Sequence, residues 1–312
     1  MKAAQISEFG GNEVVQVYNA TKPNPGAGKV IVRVHAAGVN PFDWKIRQGH
    51  YQKTMPLRLP MTLGGDFSGV VEEVGSGVSN FRKGDEVFGT ASVLGGGSGS
   101  FAEMALADSK TIAHKPKNVS HEEAAALPVA GISAWQALVE TINLSKGQKI
   151  LIHGGAGGIG TFAIQLAKHL GAHVATTVRE KDKHFVKNLG ADEVIDYENQ
   201  SFDDILKDYD AVFDTVGGET YAKSFRVLKK GGIIVSMLEQ PRQDLMKEHG
   251  VRAVAQFTQV NGERLSKLAE LVDRHAIRVQ IDKKFPLDKA GEALMYQQEG
   301  HPIGKVIISV RK

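Results

Sequence analysis

The sequence predicts an α/β protein in which a β-rich domain accompanies a doubly wound parallel sheet. The texture of the chain changes near Ser120, from short alternating or β-branched runs separated by Gly and Pro to alternating strands and helices. The chain has 312 residues, of which 42% are hydrophobic, so it is long enough to bury two cores rather than one.

The first part of the chain is predicted to be β-rich. Its clearest strands are in KVIVRVHAAGV at Lys29–Val39 and GVVEEVG at Gly69–Gly75. The last part contains a predicted helix over Leu287–Gln298 and a strand in GKVIISV, which come too late for the parallel sheet. We therefore expect this last part to return to the β-rich domain.

After Ser120 the predicted elements alternate. HEEAAALPVAGISAWQALVETI has helix-forming composition that Pro128 interrupts, and IGTFAIQLAKHL is an amphipathic helix ended by Gly171. The predicted strands are KILIH, HVATTV, EVIDY, YDAVFDTV and GGIIVSM. A βαβ series of this kind predicts a parallel sheet.

Composition argues against several functional classes. The 38 basic and 35 acidic side chains give a net charge of +3 without a long block of one sign, so neither nucleic acid nor a membrane surface is indicated. The absence of cysteine removes disulfides, thiolate metal sites and cysteine nucleophiles. The segment MKAAQISEFG lacks an apolar signal region and no window resembles a membrane span, so we expect a soluble, cytoplasmic protein.

The stretch ILIHGGAGGIG, Ile150–Gly160, is predicted to bind a dinucleotide. Its glycines form G-x-G-x-x-G between a predicted strand and a predicted helix, where they would allow a tight turn, close approach to a pyrophosphate, and close packing of helix on strand. The alternative is a tight turn without a ligand. The predicted cofactor-binding residues of this loop are Gly155, Ala156, Gly157, Gly158, Ile159 and Gly160.

The residues after HVATTV favour NADPH over NADH. This strand ends at Val178 without the carboxylate that would hold a ribose 2′-hydroxyl. The alternative is a solvated first helical turn, because Glu180 and Asp182 alternate with the cations. The cations that would bind a 2′-phosphate are Arg179, Lys181 and Lys183.

Five stretches carry a resemblance that covers essentially the whole chain. They are AAGVNPFDWKIRQGHY (36–51), LGGDFSGVVEEVGSGVSNFRKGDEVFG (63–89), GSFAEM (99–104), AAALPVAGISAWQAL (124–138) and GQKILIHGGAGGIG (147–160). Together and in this order they resemble the zinc-independent quinone oxidoreductase branch of the medium-chain dehydrogenase/reductase superfamily.

The resemblance implies a GroES-like catalytic domain formed by residues 1–121 and 261–312 and a Rossmann domain over residues 122–260. It implies an active-site cleft at their junction. It also implies NADPH as cofactor, with Lys183 and Tyr197 at positions that contact the 2′-phosphate in relatives, and a homodimer.

The resemblance also bears on metal binding. Zinc-dependent alcohol dehydrogenases of the superfamily hold their catalytic metal with a cysteine, the histidine of a GHE motif and a further cysteine or acid. The matching residues here are Asn40, Gly65 and Val129, none of which offers a zinc ligand. Because a catalytic zinc needs about three protein ligands, we expect no metal.

Without a metal, the chemistry is expected to favour a conjugated acceptor. Reduction of a simple ketone concentrates negative charge on one oxygen, which zinc stabilises in the relatives. Reduction of a quinone or an α,β-unsaturated carbonyl delocalises that charge, so ordinary hydrogen-bond donors suffice. We therefore expect hydride transfer from NADPH to a small quinone or enone.

The candidate catalytic residues lie in GVNPFDWKIRQGHY. Asn40 aligns with a residue that lines the substrate and nicotinamide site in relatives, and its amide could donate to the carbonyl oxygen; its alternative is an Asn-Pro turn. Lys45 could stabilise or protonate an enolate, or lie at the surface. Tyr51 matches an aromatic position over the substrate, or packs beneath the β-rich domain.

Other functional classes remain open at this point. A catalytically idle NADPH-binding protein with a structural or RNA-binding role would keep the glycine loop, although no basic-aromatic module favours RNA. A zinc alcohol dehydrogenase is disfavoured by the missing ligands. The sequence does not separate quinone reduction from reduction of an alkenal or enone double bond.

Overall fold

The structure is a computed structural model that describes residues 1–311, and its chain divides into two compact units. Unit 1 contains Met1–Val129, Val260–His275 and the residues from Val279 onward. Unit 2 contains Ala130–Gln259 and Ala276–Arg278. The chain thus passes from unit 1 to unit 2 after Val129, beyond the predicted limit at residue 121. It returns to unit 1 at Val260, beside the predicted limit at residue 260.

Short strands and helices make up both units. In chain order the strands are β1 (Lys2–Ile6), β2 (Gln16–Asn19), β3 (Lys29–Val39), β4 (Met61–Thr62), β5 (Asp66–Val74), β6 (Glu86–Thr90), β7 (Met104–Asp108), β8 (Ile112–His114), β9 (Lys149–His153), β10 (His173–Val178), β11 (Glu193–Asp196), β12 (Tyr209–Asp214), β13 (Leu228–Ser236), β14 (Arg252–Ala255), β15 (Ile281–Pro286) and β16 (Lys305–Ser309). The helices are α1 (Pro41–Arg47), α2 (His121–Ala125), α3 (Pro128–Trp135), α4 (Gly158–His169), α5 (Lys183–Asn188), α6 (Phe202–Ile205), α7 (Gly218–Ser224), α8 (Gln243–His249), α9 (Gly262–Asp273) and α10 (Ala290–Glu299).

Unit 1 is organised around β3, which is long enough to pair with two strands along one edge. Its first half, Lys29–Arg33, pairs with β7, and its second half, Ala36–Val39, pairs with β16. Its other edge pairs with β5. The resulting seven-stranded sheet has the order β15-β16-β3-β5-β6-β8, with β7 beside β3, and β2-β1-β4 form a smaller sheet. This arrangement confirms that the end of the chain returns to the β-rich unit.

The helix α1 starts directly where β3 ends, and this junction positions a candidate catalytic residue. Asn40 has an extended backbone and precedes Pro41, whose fixed φ suits the first position of a helix. The Asp43 carboxylate accepts a 2.8 Å hydrogen bond from the Asn40 backbone N–H. Asn40 is therefore held at the point where the chain turns from strand to helix.

Unit 2 contains a six-stranded sheet in the order β11-β10-β9-β12-β13-β14, and all of its strand pairs are parallel. The order reverses at β9, which lies between β10 and β12. In a doubly wound sheet, ligands bind beyond the carboxyl ends of the strands at such a reversal. The glycine loop Gly154–Gly160 follows β9 at this point.

Most predicted elements of unit 2 are confirmed. KILIH and HVATTV form β9 and β10 with the predicted limits, and the helical stretch after Ser120 is divided at Pro128 into α2 and α3. The short edge strand β14 and the helices α6 and α8 of unit 2 were not predicted, and neither was α9 of unit 1. Within residues 1–311, no helix is both long enough and apolar enough to cross a membrane.

Candidate functional site

The glycine loop of unit 2 is a tight turn that side chains would disrupt. A Cβ on Gly155 would lie 2.1 Å from Thr176 Oγ1, and a Cβ on Gly160 would lie 2.2 Å from the Gly154 carbonyl oxygen. Gly154 itself has a φ of +71°, which favours glycine. The backbone of the loop and the first turn of α4 are thus packed directly on the ends of β9 and β10.

Gly157 differs from these glycines because space remains around it. A Cβ there would meet only the Gly154 carbonyl oxygen, at 3.3 Å. Gly157 is the N-cap of α4, a 12-residue helix whose first amide groups have no partners within the helix. The helix dipole adds positive potential at this end. The chain therefore offers a half-buried anion site along Ala156–Ile159.

A buried histidine, His153, ends β9 and directly precedes the glycine loop. His153 Nδ1 lies 3.0 Å from Thr177 Oγ1, and His153 Nε2 lies 2.9 Å from Ser224 Oγ. The Ser224 hydroxyl donates to the Thr220 carbonyl, so it accepts from His153 Nε2–H. Burial lowers the pKa of His153 to about 4. This histidine is therefore neutral at physiological pH and links the end of β9 to β10 and α7.

The loops after β12 and β13 are fixed by a buried carboxylate. Asp214 Oδ1 accepts hydrogen bonds from the backbone N–H groups of Val216 and Gly217, and its Oδ2 accepts a 2.7 Å bond from Ser236 Oγ. The side chains of Val216 and Leu238 remain about half exposed at this edge of the sheet. They form an apolar surface beside the glycine loop, since Val216 lies near Gly154.

The predicted 2′-phosphate residues cluster at the ends of β10 and β11, where the Tyr197 N–H donates to the Val178 carbonyl. Two of the three cations predicted to bind the phosphate, Arg179 and Lys183, are paired with carboxylates. Arg179 Nε donates to the buried Asp182 carboxylate at 3.1 Å, and Lys183 Nζ lies 2.6 Å from Glu180 Oε2. A phosphate at Lys183 would compete with Glu180, which is exposed.

Unit 1 contains a buried polar cluster around Asn40. Asn40 Nδ2 donates to Asp66 Oδ2 at 2.9 Å, and the Lys305 ammonium donates to Asn40 Oδ1 at 2.5 Å and to the Val39 carbonyl at 3.0 Å. The backbone N–H of Val129 also donates to Asp66 Oδ2. Two opposite charges therefore hold the amide of Asn40.

Burial dominates the electrostatics of this cluster. Burial, helped by the neighbouring Asp66 carboxylate, raises the pKa of Asp43 to about 7, although the hydrogen bond from Asn40 and the Lys305 charge both lower it. Burial also raises the pKa of Asp66 and lowers the pKa of Lys305, and the attraction between these two groups opposes both shifts. The attraction between Asp66 and Lys305 thus works against the loss of charge that burial favours.

The other two predicted catalytic residues have contacts that do not involve Asn40. The Lys45 ammonium lies 5.5 Å from the centroid of the Trp44 ring, and the Tyr51 ring lies 4.8 Å from that of Phe42. Tyr51 packs at the edge of a unit 1 hydrophobic cluster, as its alternative interpretation expects. A catalytic role for Lys45 and Tyr51 stays a prediction.

Comparisons with known proteins agree on the family. The family description "Alcohol dehydrogenase GroES-like domain" matches residues 26–117, and "Zinc-binding dehydrogenase" matches residues 189–308. The chain is 35% identical to the chloroplast envelope quinone oxidoreductase homolog of Arabidopsis thaliana, over 99% of this chain and 98% of the relative. It belongs to the quinone oxidoreductase branch of the medium-chain dehydrogenase/reductase superfamily.

Two further relatives of this branch are informative. The chloroplastic NADPH-dependent alkenal/one oxidoreductase of Arabidopsis thaliana is 36% identical, over 99% of this chain and 79% of the relative. The structure of the quinone oxidoreductase from Coxiella burnetii superposes with a TM-score of 0.92 at 37% identity, over 100% of this chain and 99% of that one. The predicted combination of a GroES-like unit and a Rossmann unit is therefore confirmed.

One matching family description refers to zinc, and the donor groups of this chain do not fit that metal. At the three positions where zinc-dependent relatives carry ligands, Asn40 Oδ1 is bonded to an ammonium, Gly65 has no side chain, and Val129 presents an N–H donor to Asp66. Within residues 1–311, no cluster of three or more His, Cys, Asp or Glu could hold a metal ion. A cationic lysine beside Asn40 would also repel Zn²⁺.

The sequence did not single out four residues that organise these sites, namely Asp66, His153, Asp214 and Lys305. Each is polar, buried, and lies at the first or last position of a strand. A buried polar residue at a strand end is the signal that could have identified them. Their partners, however, are distant in the sequence.

Proposed function

We propose that this protein is an NADPH-dependent reductase of small quinones or other α,β-unsaturated carbonyls. The observation that carries the proposal is the glycine loop at the reversal of the parallel sheet, in a chain whose full-length relatives include a quinone oxidoreductase homolog and an alkenal/one oxidoreductase. NADPH supplies a hydride when bound. The chain's residues bind the dinucleotide and stabilise the charge that develops on the acceptor oxygen.

The proposed cofactor site uses the loop and the two strand ends beside it. The amide groups along Gly155–Gly160 would hold the pyrophosphate, and Val216 and Leu238 would cover apolar faces of the dinucleotide. Arg179, Lys183 and Tyr197 would surround the 2′-phosphate. Two features support these assignments. The glycine loop is a close-packed turn suited to an anion, and the cations follow β10, the strand that pairs with β9.

Glu180→Gln is expected to tighten NADPH binding about two- to fivefold and to change NADH binding by less than about 1.5-fold, because a single exposed ion pair is worth up to about 1 kcal/mol. The substitution frees Lys183 from its carboxylate partner. Fluorescence titrations with both nucleotides measure the effect. Lys183→Gln should weaken NADPH binding and leave NADH binding nearly unchanged. Equal changes in the affinity for both nucleotides would contradict the assignment of Lys183 to the phosphate.

Asn40 is the proposed hydrogen-bond donor to the acceptor. As hydride reaches the acceptor carbon, an electron pair moves onto the carbonyl oxygen, and the second N–H of Asn40 Nδ2 would stabilise the resulting oxyanion. A proton from water then completes the hydroquinone or the saturated carbonyl. Conjugation spreads the negative charge over several atoms of the acceptor. Less charge therefore lies on the oxygen than in the reduction of a simple ketone, and one neutral donor has less charge to stabilise.

The decisive experiment is NADPH oxidation measured against a panel of 1,4-quinones, 2-alkenals and cyclic enones. We expect turnover of at least one class, with no loss in EDTA, since we propose that the reaction needs no metal. Turnover of no acceptor would overturn the proposed activity and favour an idle NADPH-binding protein. Loss of activity in EDTA that zinc restores would contradict the metal-free proposal. A cytoplasmic location stays a prediction.

We also propose a homodimer. Within residues 1–311, no strand pairs with the outer edge of β14, and the nearby Phe257 side chain is 71% exposed. An open edge beside an exposed aromatic ring suits a second copy of the chain. Light scattering should give the mass of two chains, and Phe257→Glu should give one. Tyr18→Glu, at an exposed aromatic residue of unit 1, is the matched control and should leave the dimer intact.

A further inference from the structure

Lys305 is a buried lysine that the proposed function has not yet used. It is the first residue of β16 and only 3% exposed, and its ammonium contacts the Val39 carbonyl and Asn40 Oδ1. Burial of a lysine is costly, and an apolar residue of similar volume would often serve stability as well or better. Stability alone therefore gives little reason for a cation at this position.

The contacts of Lys305 determine which way the Asn40 amide faces. An ammonium only donates hydrogen bonds and a carboxylate only accepts them. With Lys305 on one side and Asp66 on the other, Oδ1 must face Lys305 and Nδ2 must face Asp66. The reversed amide would place an N–H against the ammonium and a carbonyl oxygen against the carboxylate. The pair thus excludes the other rotamer.

This fixed orientation leaves one N–H for a ligand. Nδ2 uses one hydrogen for Asp66, and within residues 1–311 its second hydrogen has no acceptor. The positive charge of Lys305 beside Oδ1 also polarises the amide, which makes that N–H a stronger donor. Because the cluster is buried, this influence is weakly screened by solvent.

We propose that Lys305 is a positioning residue for the reduction, which holds and polarises the Asn40 amide so that its second N–H faces the oxygen of the acceptor. This inference rests on the proposed function and on Asn40 as the donor. Lys305 acts only through Asn40 and does not touch the acceptor. Its effect should therefore disappear when Asn40 has no amide.

The test is a double-mutant cycle with Lys305→Met and Asn40→Ala, using the acceptor with the highest turnover in the panel. Lys305→Met is expected to lower kcat about 10- to 100-fold, with the dissociation constant of NADPH changed by less than about twofold. In the Asn40→Ala background, the same substitution should change kcat by less than about twofold. The deuterium isotope effect with 4-deuterated NADPH should rise in Lys305→Met, because hydride transfer becomes slower.

Lys305→Gln covers the case in which Lys305→Met does not fold. Glutamine can still donate to Asn40 Oδ1 but carries no charge, so a smaller loss of about three- to tenfold is expected, again only when Asn40 is present. The matched control is Lys115→Met. Lys115 is a second lysine of unit 1 with little side-chain exposure, 6%, and its ammonium donates to the Pro116 and Val119 carbonyls. Its loss should lower thermal stability while kcat stays within about twofold.

Three results would overturn this role for Lys305. They are an unchanged kcat in Lys305→Met, an equal loss with and without Asn40, and a loss explained by weaker NADPH binding. All three results require a wild-type protein that turns over the acceptor. If the wild-type protein reduces no acceptor at all, the proposed function fails instead, so the two failures are distinguishable.

Discussion

Gly157→Ala is expected to weaken NADPH binding by about tenfold or more while leaving the free protein folded, which corresponds to a loss of at least about 1.4 kcal/mol. In the structure, a Cβ at this position meets only the Gly154 carbonyl oxygen, at 3.3 Å, so a small shift of that carbonyl accommodates it. Bound pyrophosphate would occupy the space that the methyl group takes. Fluorescence titration with NADPH and a thermal melt without nucleotide measure the two effects.

Gly160→Ala separates loop packing from ligand approach. Its Cβ would lie 2.2 Å from the Gly154 carbonyl oxygen and 2.7 Å from the Gly155 Cα, so the turn itself must move. We expect a loss of about 1–3 kcal/mol of stability in addition to loss of NADPH binding. Gly26→Ala, at a glycine where an added Cβ would meet no atom within 4 Å, is the control and should behave as the wild type. If Gly157→Ala bound NADPH with the affinity of the wild type, the assignment of this loop to the cofactor site would be contradicted.

Asp43→Asn is expected to stabilise the protein above pH 7 and to have little effect near pH 4. Burial raises the pKa of Asp43 to about 7 in the folded state, whereas the unfolded chain has the ordinary value of 3.8. Between these values the folded state keeps a proton that the unfolded state releases, so the wild type loses stability as pH rises from about 4 to 7. Asparagine resembles the protonated acid and has no charge to bury.

The expected difference in unfolding free energy between Asp43→Asn and the wild type grows from near zero at pH 4 to on the order of 3–4 kcal/mol at pH 8. Urea unfolding of both proteins at several pH values measures it, and the other titrating groups cancel in the difference. Asp288→Asn, which removes an exposed carboxylate of the same unit, is the control. A difference that stays constant from pH 4 to pH 8 would contradict the raised pKa.

The sequence predicted best those features that neighbouring residues determine. The limits of β10 follow from the run HVATTV and the charged residues after it, and the turn after β9 follows from closely spaced glycines. The ion pair between Glu180 and Lys183 is also local, since the two residues lie three positions apart in the sequence. Local patterns are sufficient for features of this kind.

The polar cluster of unit 1 could not be predicted in the same way. Lys305 lies more than 200 residues after Asn40 in the sequence, and no periodicity relates the two. Their contact depends on β16 pairing with the second half of β3, which is a property of the assembled sheet. The edge strand β14 was missed because only four residues form it and Arg252 is exposed.

The pairing of β3 with both β7 and β16 has a consequence for synthesis on the ribosome. Unit 2 is almost continuous in the chain, so it can begin to fold while later residues are still being added. Unit 1 cannot complete its main sheet at that stage, because the Ala36–Val39 edge of its central strand is unpaired until Lys305–Ser309 have been synthesised. A nascent chain would thus complete its nucleotide-binding fold before the unit that carries Asn40, and the open edge of β3 is the segment that needs protection from aggregation in the interval.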